Sequence, residues 1–305
     1  MTGAAYLFPT FPMRQADFDP ATVPGFAAAL DRRAAEAART FPITASTFTR
    51  YPPGAEMPSA EATRHAHYAC YLENLAMADL WSARAPACGV AAAYSMGLFP
   101  LLAFAGAATF DDGLRLMDAI VTATLDVVPA GDYAMGVIVG LTRDDVQTRI
   151  SARHPALEIT DVYAPKTIIT AGPRQAIVAL VDECLAADGI EEAYPMPVTA
   201  PFHATALRAI EPRIEALLDG FDVRAPRVPI VSAITQRPLR TADDIRWELA
   251  NNIWHPMAWF ATVSTLVDAG VGVFVEAGTS VRLAEHARRA CPETAIVLDY
   301  RDYQS

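Results

Sequence analysis

The chain has little positive charge. Its 305 residues contain 24 Lys and Arg against 35 Asp and Glu, which gives a formal net charge of -11. No run of basic residues occurs. Because nucleic acids and anionic membrane surfaces are bound through clustered Lys and Arg, the composition argues against either as the main partner.

Long apolar segments and paired cysteines are also lacking. No run reaches the length of a transmembrane helix, and the first residues do not combine a basic stretch with a long apolar one. The four cysteines show no Cys-x-x-Cys spacing and are predicted to be reduced thiols. We therefore expect an untargeted, cytoplasmic enzyme.

No metal ion or cofactor is predicted. His65 and His67 fall in a predicted helix over 60–82, two residues apart. Side chains at this spacing lie on different sides of a helix, whereas two ligands of one metal ion need a spacing of four residues there or a pair of strands.

The segment 93–97, AYSMG, carries the strongest chemical signal. It follows a short apolar run at 88–93 that predicts a buried strand, and an apolar helical run follows it. The pattern resembles the Gly-x-Ser-x-Gly turn that exposes a serine hydroxyl between strand and helix, with the small Ala93 replacing the first glycine. Because serine also caps helices, a nucleophile and a helix cap both stay open for Ser95.

The region 132–197 has a pattern of its own. It predicts, in order, strand 133–140, helix 142–152, strand 157–163, strand 166–171, helix 173–188 and strand 191–196. This βαββαβ order is that of a ferredoxin-like unit. Elsewhere, strands predicted at 5–8, 88–93, 228–234, 271–276 and 295–299 alternate with helices, which indicates a mostly parallel sheet. We predict an α/β fold: an α/β-hydrolase-like large subdomain, 1–131 and 198–305, with an inserted ferredoxin-like small subdomain, 132–197.

His203 is the best candidate for a base that activates Ser95. It follows a Pro-Phe pair between an extended run and a helix, a boundary at which catalytic side chains often project. The group that would orient its ring stays open. Asp132 and Asp161 fall in the predicted insert, Glu276 ends a predicted strand, and a main-chain carbonyl would serve as well.

Eight co-linear segments together resemble the malonyl-CoA:acyl-carrier-protein acyltransferase family, which includes the acyltransferase domains of polyketide synthases. The resemblance covers nearly the whole chain. The segments are YLFP (6–9), AYSMGLFPLLAFAGAATFDDGLRLM (93–117), YAMGVIVGL (133–141), APKTIITAG (164–172), APFHATAL (200–207), SAITQRPL (232–239), NNIWHPMAW (251–259) and FVEAGTSVRL (274–283).

The resemblance implies a role for several positions. Ser95 would be the nucleophile that accepts the acyl group, and His203 its base and then acid. The main-chain N–H groups of Met96 and Phe11 would form the oxyanion hole. The main-chain carbonyl near Asn252 would orient His203.

The chain departs from the family in its expected substrate pocket. Phe11 stands where the family has a glutamine, and Tyr94 where it has a histidine before the nucleophile. Ile120 occupies, counted without gaps from Ser95, the position of the arginine that pairs with the carboxylate of malonyl groups. Phe202, before the histidine, instead matches the malonyl-type pattern.

An isoleucine cannot pair with a carboxylate, and an unpaired buried anion costs several kcal/mol. We therefore expect an acyl group without a free carboxylate, although Arg14 on the altered loop is a conceivable compensating cation.

The resulting hypothesis is a serine acyltransferase of polyketide-type biosynthesis. It would move an acyl group from a CoA or carrier-protein thioester to an acyl carrier protein. Three alternatives stay open: a hydrolase that clears acyl carrier proteins, a malonyltransferase with a compensating cation, and a non-catalytic docking protein. An acidic carrier protein would need a local basic patch, for which the candidates are Arg208, Arg213, Arg282, Arg288 and Arg289.

Overall fold

Two β-sheets organise the chain. The computed structural model describes residues 3–10, 22–41, 60–128, 131–196, 198, 200–280 and 282–304. The larger sheet contains six strands in the order β10-β9-β1-β2-β7-β8. These strands are β1 (Ala4–Phe8), β2 (Cys88–Ala93), β7 (Ile230–Val231), β8 (Pro238–Leu239), β9 (Val273–Glu276) and β10 (Ile296–Leu298).

The larger sheet is parallel except for one edge strand. The pairs β10–β9, β9–β1, β1–β2 and β2–β7 are parallel, and β8 pairs with β7 in the antiparallel sense. A parallel sheet needs a cover on both faces, and β1 shows this directly. Tyr6 and Phe8 are buried in the core on one face of the sheet, and Ala5 and Leu7 in the core on the other.

Eight helices belong with the larger sheet in the part of the chain that the structure describes. They are α1 (Phe26–Ala37), α2 (Ala60–Ser82), α3 (Leu98–Phe104), α4 (Phe110–Val127), α7 (Glu211–Leu218), α8 (Ala242–Asn251), α9 (Trp259–Asp268) and α10 (Arg282–Ala290). The first six contribute to one core and α9 and α10 to the other. Among the described residues no helix is long and apolar enough to cross a membrane.

The smaller sheet has the predicted ferredoxin-like order. Its strands run β4-β5-β3-β6, and every neighbouring pair is antiparallel. Two helices pack on one face over a core of their own. The elements are β3 (Tyr133–Val139), α5 (Arg143–Arg153), β4 (Glu158–Ala164), β5 (Thr167–Pro173), α6 (Arg174–Leu185) and β6 (Glu192–Met196).

The predicted fold class is therefore confirmed, whereas the subdomain limits at 132 and 197 stay a prediction. The two sheets are joined at β4, where the N–H of Met257 donates to the carbonyl of Thr160 at 2.8 Å. The N–H of Trp259 donates to Oδ1 of Asp161 at 3.0 Å.

The strand predicted at 228–234 is wrong in its length. β7 ends at Val231, because the hydroxyl of Ser232 accepts hydrogen bonds from the N–H groups of Ile234 and Thr235, at 3.1 and 2.9 Å. Such local side-chain bonds compete with strand pairing and favour a turn.

Gly97 should be essential for the packing of the turn after β2. A Cβ at this position would overlap the main-chain carbonyl of Phe8. We expect Gly97→Ala to lower the free energy of unfolding by about 1–3 kcal/mol, because neither main chain can move aside. Denaturant unfolding measures this. A Cβ at Gly272 meets no atom within 4 Å, so Gly272→Ala is the matched control, and equal losses in both variants would contradict the prediction.

Candidate active site

The turn after β2 presents Ser95 at the carboxyl edge of the larger sheet. Ser95 has a φ of 54°, in the left-handed region that costs a non-glycine residue about 1–3 kcal/mol. The N–H of Tyr94 donates to the carbonyl of Phe8 at 2.9 Å, which ties the turn to β1. A short 3₁₀ turn, Ser95–Gly97, then leads into α3. The serine therefore stands at a strained strand-to-helix corner.

His203 reaches Ser95 from the other side of the site. Its Nε2 lies 2.8 Å from the Oγ of Ser95. His203 also has a left-handed backbone, with a φ of 62°, and its N–H donates to the carbonyl of Ile253 at 2.7 Å. The structure thus brings together two residues 108 positions apart in the sequence.

The His203 ring is held neutral. Burial lowers the pKa of His203 to about 4, against an ordinary 6.5, while the main-chain carbonyls of Asn252 and His255 oppose this shift. Within the described residues, Nδ1 makes no hydrogen bond of ordinary geometry. The side-chain amide of Asn252 donates to the carbonyl of Ser95 at 3.3 Å. That the Asn252 carbonyl orients His203 stays a prediction.

Two of the three acidic residues considered for the orienting role have other contacts. Glu276 is fully buried and accepts hydrogen bonds from the Ser280 hydroxyl at 2.6 Å and the Ala284 N–H at 2.7 Å, at the start of α10. Asp161 accepts from the N–H of Trp259. Neither carboxylate is hydrogen-bonded to His203.

A cavity of about 60 Å³ opens beside the serine and histidine. Its walls come from both sheets and are largely apolar. The described residues that line it are Thr10, His67, Tyr94, Ser95, Met96, Phe99, Val121, Met135, Ile169, Met196, Val198, Phe202, His203, Asn252 and Ile253. None of these is an arginine or lysine.

Most of the expected pocket residues line this cavity, but one does not. Tyr94, Met96 and Phe202 lie on its wall. Ile120 was expected there and is instead fully buried in the core of the larger subdomain. Its neighbour Val121 lines the cavity, because successive residues of a helix point about 100° apart. Phe11 and Arg14 lie outside the described residues.

The sequence reasoning missed His67 as a wall residue. Its Nδ1 lies 2.7 Å from the carbonyl of Thr63, so Nδ1 carries the proton and donates. Burial lowers the pKa of His67 to about 4, which keeps the ring neutral. The sequence does contain a signal, because a histidine within a largely apolar helix is unusual, but that signal does not distinguish a cavity wall from a metal ligand. In the part of the chain described, no cluster of three or more metal-ligating side chains occurs.

A wider cleft of about 310 Å³ adjoins the cavity. Thr10, Tyr94, Ile169 and Met196 line both. One wall of the cleft is α10, where Arg282, His286 and Arg289 share a face at positions i, i+4 and i+7. The facing edge of the smaller sheet contributes Glu191 and Glu192.

The fold and this geometry define an α/β protein with a serine–histidine pair at the carboxyl edge of its larger sheet. No family model matches the chain. It is similar to the polyketide biosynthesis protein ThaF of Burkholderia thailandensis, with 30% identity over 208 residues, 67% of this chain and 17% of ThaF. It is also similar to the malonyl CoA-acyl carrier protein transacylase of Bacillus subtilis, with 25% identity over 61% of this chain and 60% of that enzyme.

A solved structure extends the likeness over the whole fold. It is a malonyl-transacylase in complex with its type II polyketide synthase acyl-carrier protein, with a TM-score of 0.84 and 23% identity, covering 97% of this chain and 94% of that one. The fold is therefore that of the malonyl-transacylases, and the sequence is similar to theirs. The chain spans 17% and 60% of the length of the two relatives named above.

The low pKa of His203 predicts how Ser95 responds to acid. A general base must be unprotonated, so reaction of Ser95 with a serine-directed phosphonate should stay fast to about pH 5 and fall as the pH drops through about 4. Intact-mass measurement of the adduct, with circular dichroism at each pH, checks this. His203→Ala should slow labelling by about 10²–10⁴-fold and Ser95→Ala should abolish it. If the labelling rate instead fell with a midpoint near pH 6.5, the ordinary imidazole pKa, the prediction would be contradicted.

Proposed function

We propose that the chain is a serine acyltransferase that moves an acyl group from a CoA or carrier-protein thioester to an acyl carrier protein. The observation that carries this is the 2.8 Å contact between the Oγ of Ser95 and Nε2 of a neutral His203. The similarity to malonyl-transacylases and to a polyketide biosynthesis protein supports the same class of reaction.

The first half of the cycle acylates Ser95. Nε2 of His203 takes the hydroxyl proton as Oγ attacks the thioester carbonyl carbon, and the oxygen of that carbonyl becomes an oxyanion. The main-chain N–H groups of Met96 and Phe11 are the proposed donors to this oxyanion. When the carbon–sulfur bond breaks, the departing thiolate takes the proton from His203. An acyl-Ser95 ester and a free thiol result.

The second half reverses these roles. The thiol of the acyl carrier protein gives its proton to His203 and attacks the ester carbonyl carbon. The bond to Oγ breaks, and the proton on His203 returns to Ser95. Because both halves pass through one acyl-enzyme, the two thioesters react in turn at a single site.

The acyl group is proposed to lack a free carboxylate. The cavity beside Ser95 is lined by methionine, phenylalanine, valine and isoleucine, and no described residue on its wall is an arginine or lysine. An acyl carboxylate left unpaired there would cost several kcal/mol. We propose that this apolar wall, to which α4 contributes Val121, serves an uncharged acyl group in polyketide-type biosynthesis.

Loading of Ser95 from acyl-CoA thioesters tests the proposal. Purified protein is incubated with a panel of uncharged acyl-CoAs and with malonyl-CoA, and the Ser95 adduct is measured by intact mass. We expect uncharged groups to load at least about tenfold faster than malonyl, because one unpaired buried charge costs more than 1.4 kcal/mol.

Ser95→Ala is the control and should show no adduct. Fast, exclusive malonyl loading would contradict the acyl class and favour a malonyltransferase with a compensating cation. The isolated adduct is then incubated with and without holo acyl carrier protein. A hydrolase releases the free acid in both cases, whereas a transferase passes the acyl group to the carrier protein. No adduct from any thioester would favour a non-catalytic docking protein.

Arg282 and Arg289 are the proposed contacts for an acidic carrier protein. Of the five candidate arginines, these two line the cleft that adjoins the Ser95 cavity. Arg213 and Arg288 pair with Asp126 and Asp299, at 2.9 and 2.8 Å.

Reversing one cleft charge should weaken use of the carrier. Arg289→Glu is expected to raise the KM for a holo acyl carrier protein about tenfold, while the KM for free pantetheine as acceptor stays unchanged. Arg213→Glu makes the same charge change outside the cleft and is the matched control. An equal rise in both variants would show an effect of net charge alone and contradict the prediction.

A further inference from the structure

Tyr94 stands between the Ser95 cavity and the adjoining cleft and lines both. Its ring makes edge contacts with Tyr163 and Trp259, with centroids 4.9 and 5.6 Å apart. Tyr94 is the residue immediately before Ser95 and shares the wall of the cavity with it.

A fully buried carboxylate lies next to Tyr94. Asp161, on β4, is 2% exposed. One oxygen, Oδ1, accepts the N–H of Trp259 at the start of α9. The other, Oδ2, makes no hydrogen bond of ordinary geometry among the described residues. Burial raises the pKa of the Tyr94 phenol, and the charge of Asp161 adds to this shift.

We propose that Asp161, acting through Tyr94, is a specificity-determining residue that disfavours negatively charged acyl groups on Ser95. The inference rests on the proposed acyltransferase function. It adds electrostatic repulsion as a second reason for an uncharged acyl group. Specificity built this way uses a charge against the wrong substrate as well as contacts to the right one.

The repulsion follows from burial. A negative charge acts over longer distances in a poorly polarisable interior than in water, and no ion pair with Asp161 occurs in the described part of the chain. The cavity wall offers no described arginine or lysine to offset it. The carboxylate of a malonyl group would therefore meet a like charge as well as an apolar wall.

The repulsion should depend on pH. Burial raises the pKa of Asp161 to about 7, opposed by the Trp259 N–H and the Tyr94 hydroxyl. The charge is therefore present above about pH 7 and lost below it. Tyr94 and Tyr163 are the titratable groups that face Asp161, and burial raises the pKa of both phenols well above 10. From β5 and α9 the neighbours are Ile169 and Trp259, which do not titrate.

Competition between malonyl-CoA and acetoacetyl-CoA tests the proposal, because these acyl groups are of nearly equal size and differ in charge. The ratio of the two Ser95 adducts is measured at pH 6 and pH 8 in the wild type and in Asp161→Asn. We expect the ratio of acetoacetyl adduct to malonyl adduct to rise several-fold from pH 6 to pH 8 in the wild type. In Asp161→Asn it should be about tenfold lower at pH 8 and independent of pH.

Glu248→Gln is the matched control. Glu248 is also a buried carboxyl whose pKa burial raises to about 7, but its side chain accepts from Ser232 instead of facing Tyr94. Its replacement should leave the ratio unchanged. Tyr94→Phe keeps the ring and removes the hydroxyl that opposes the raised pKa of Asp161. In this variant the change of the adduct ratio should therefore move to a higher pH than in the wild type.

An unchanged ratio at pH 8 in folded Asp161→Asn would overturn the inference. If that variant does not fold, a wild-type ratio that is flat between pH 6 and pH 8 overturns it equally. Failure of the proposed function looks different, because the wild type would then form no adduct with either thioester.

Discussion

The close packing of the turn after β2 against the end of β1 is the constraint on which the candidate site depends. Gly97 leaves no room for a side chain beside the carbonyl of Phe8, and the same carbonyl accepts the N–H of Tyr94. Ser95 is thereby held in a left-handed conformation that it would not adopt alone. His203 has a similar backbone strain, so the packed core stabilises two unfavourable backbone conformations. Their side chains meet, with Oγ of Ser95 2.8 Å from Nε2 of His203.

Burial then sets the chemistry of the groups around that contact. It lowers the pKa of His203 and His67 to about 4 and raises that of Asp161 to about 7. Both histidines are therefore neutral near pH 7, which the proposed role of His203 as a general base requires, whereas Asp161 is partly charged. The apolar cavity and the buried Asp161 are the two observations behind our proposal of an uncharged acyl group.

Much of the fold was predictable because its signals are local. The alternation of strands and helices at 133–196 identified the ferredoxin-like unit, and the AYSMG segment placed a serine at a tight turn. Ile120 was misplaced because counting along a helix does not say which of two neighbouring residues faces a cavity. The sequence does not predict the shifted pKa values of Asp161 and His67. Both shifts come from burial, which depends on chain segments far away in the sequence.

The sequence by itself determined the α/β class, the order of elements and the residue types able to carry acyl-transfer chemistry. These follow from periodicity, small residues at turns and charge, which act over a few neighbouring positions. Only the tertiary structure decided that Nε2 of His203 meets the Oγ of Ser95, that Val121 and not Ile120 lines the cavity, and that Asp161 lies behind Tyr94. Each depends on packing between segments far apart in the sequence, which brings distant residues together and removes water from their charges.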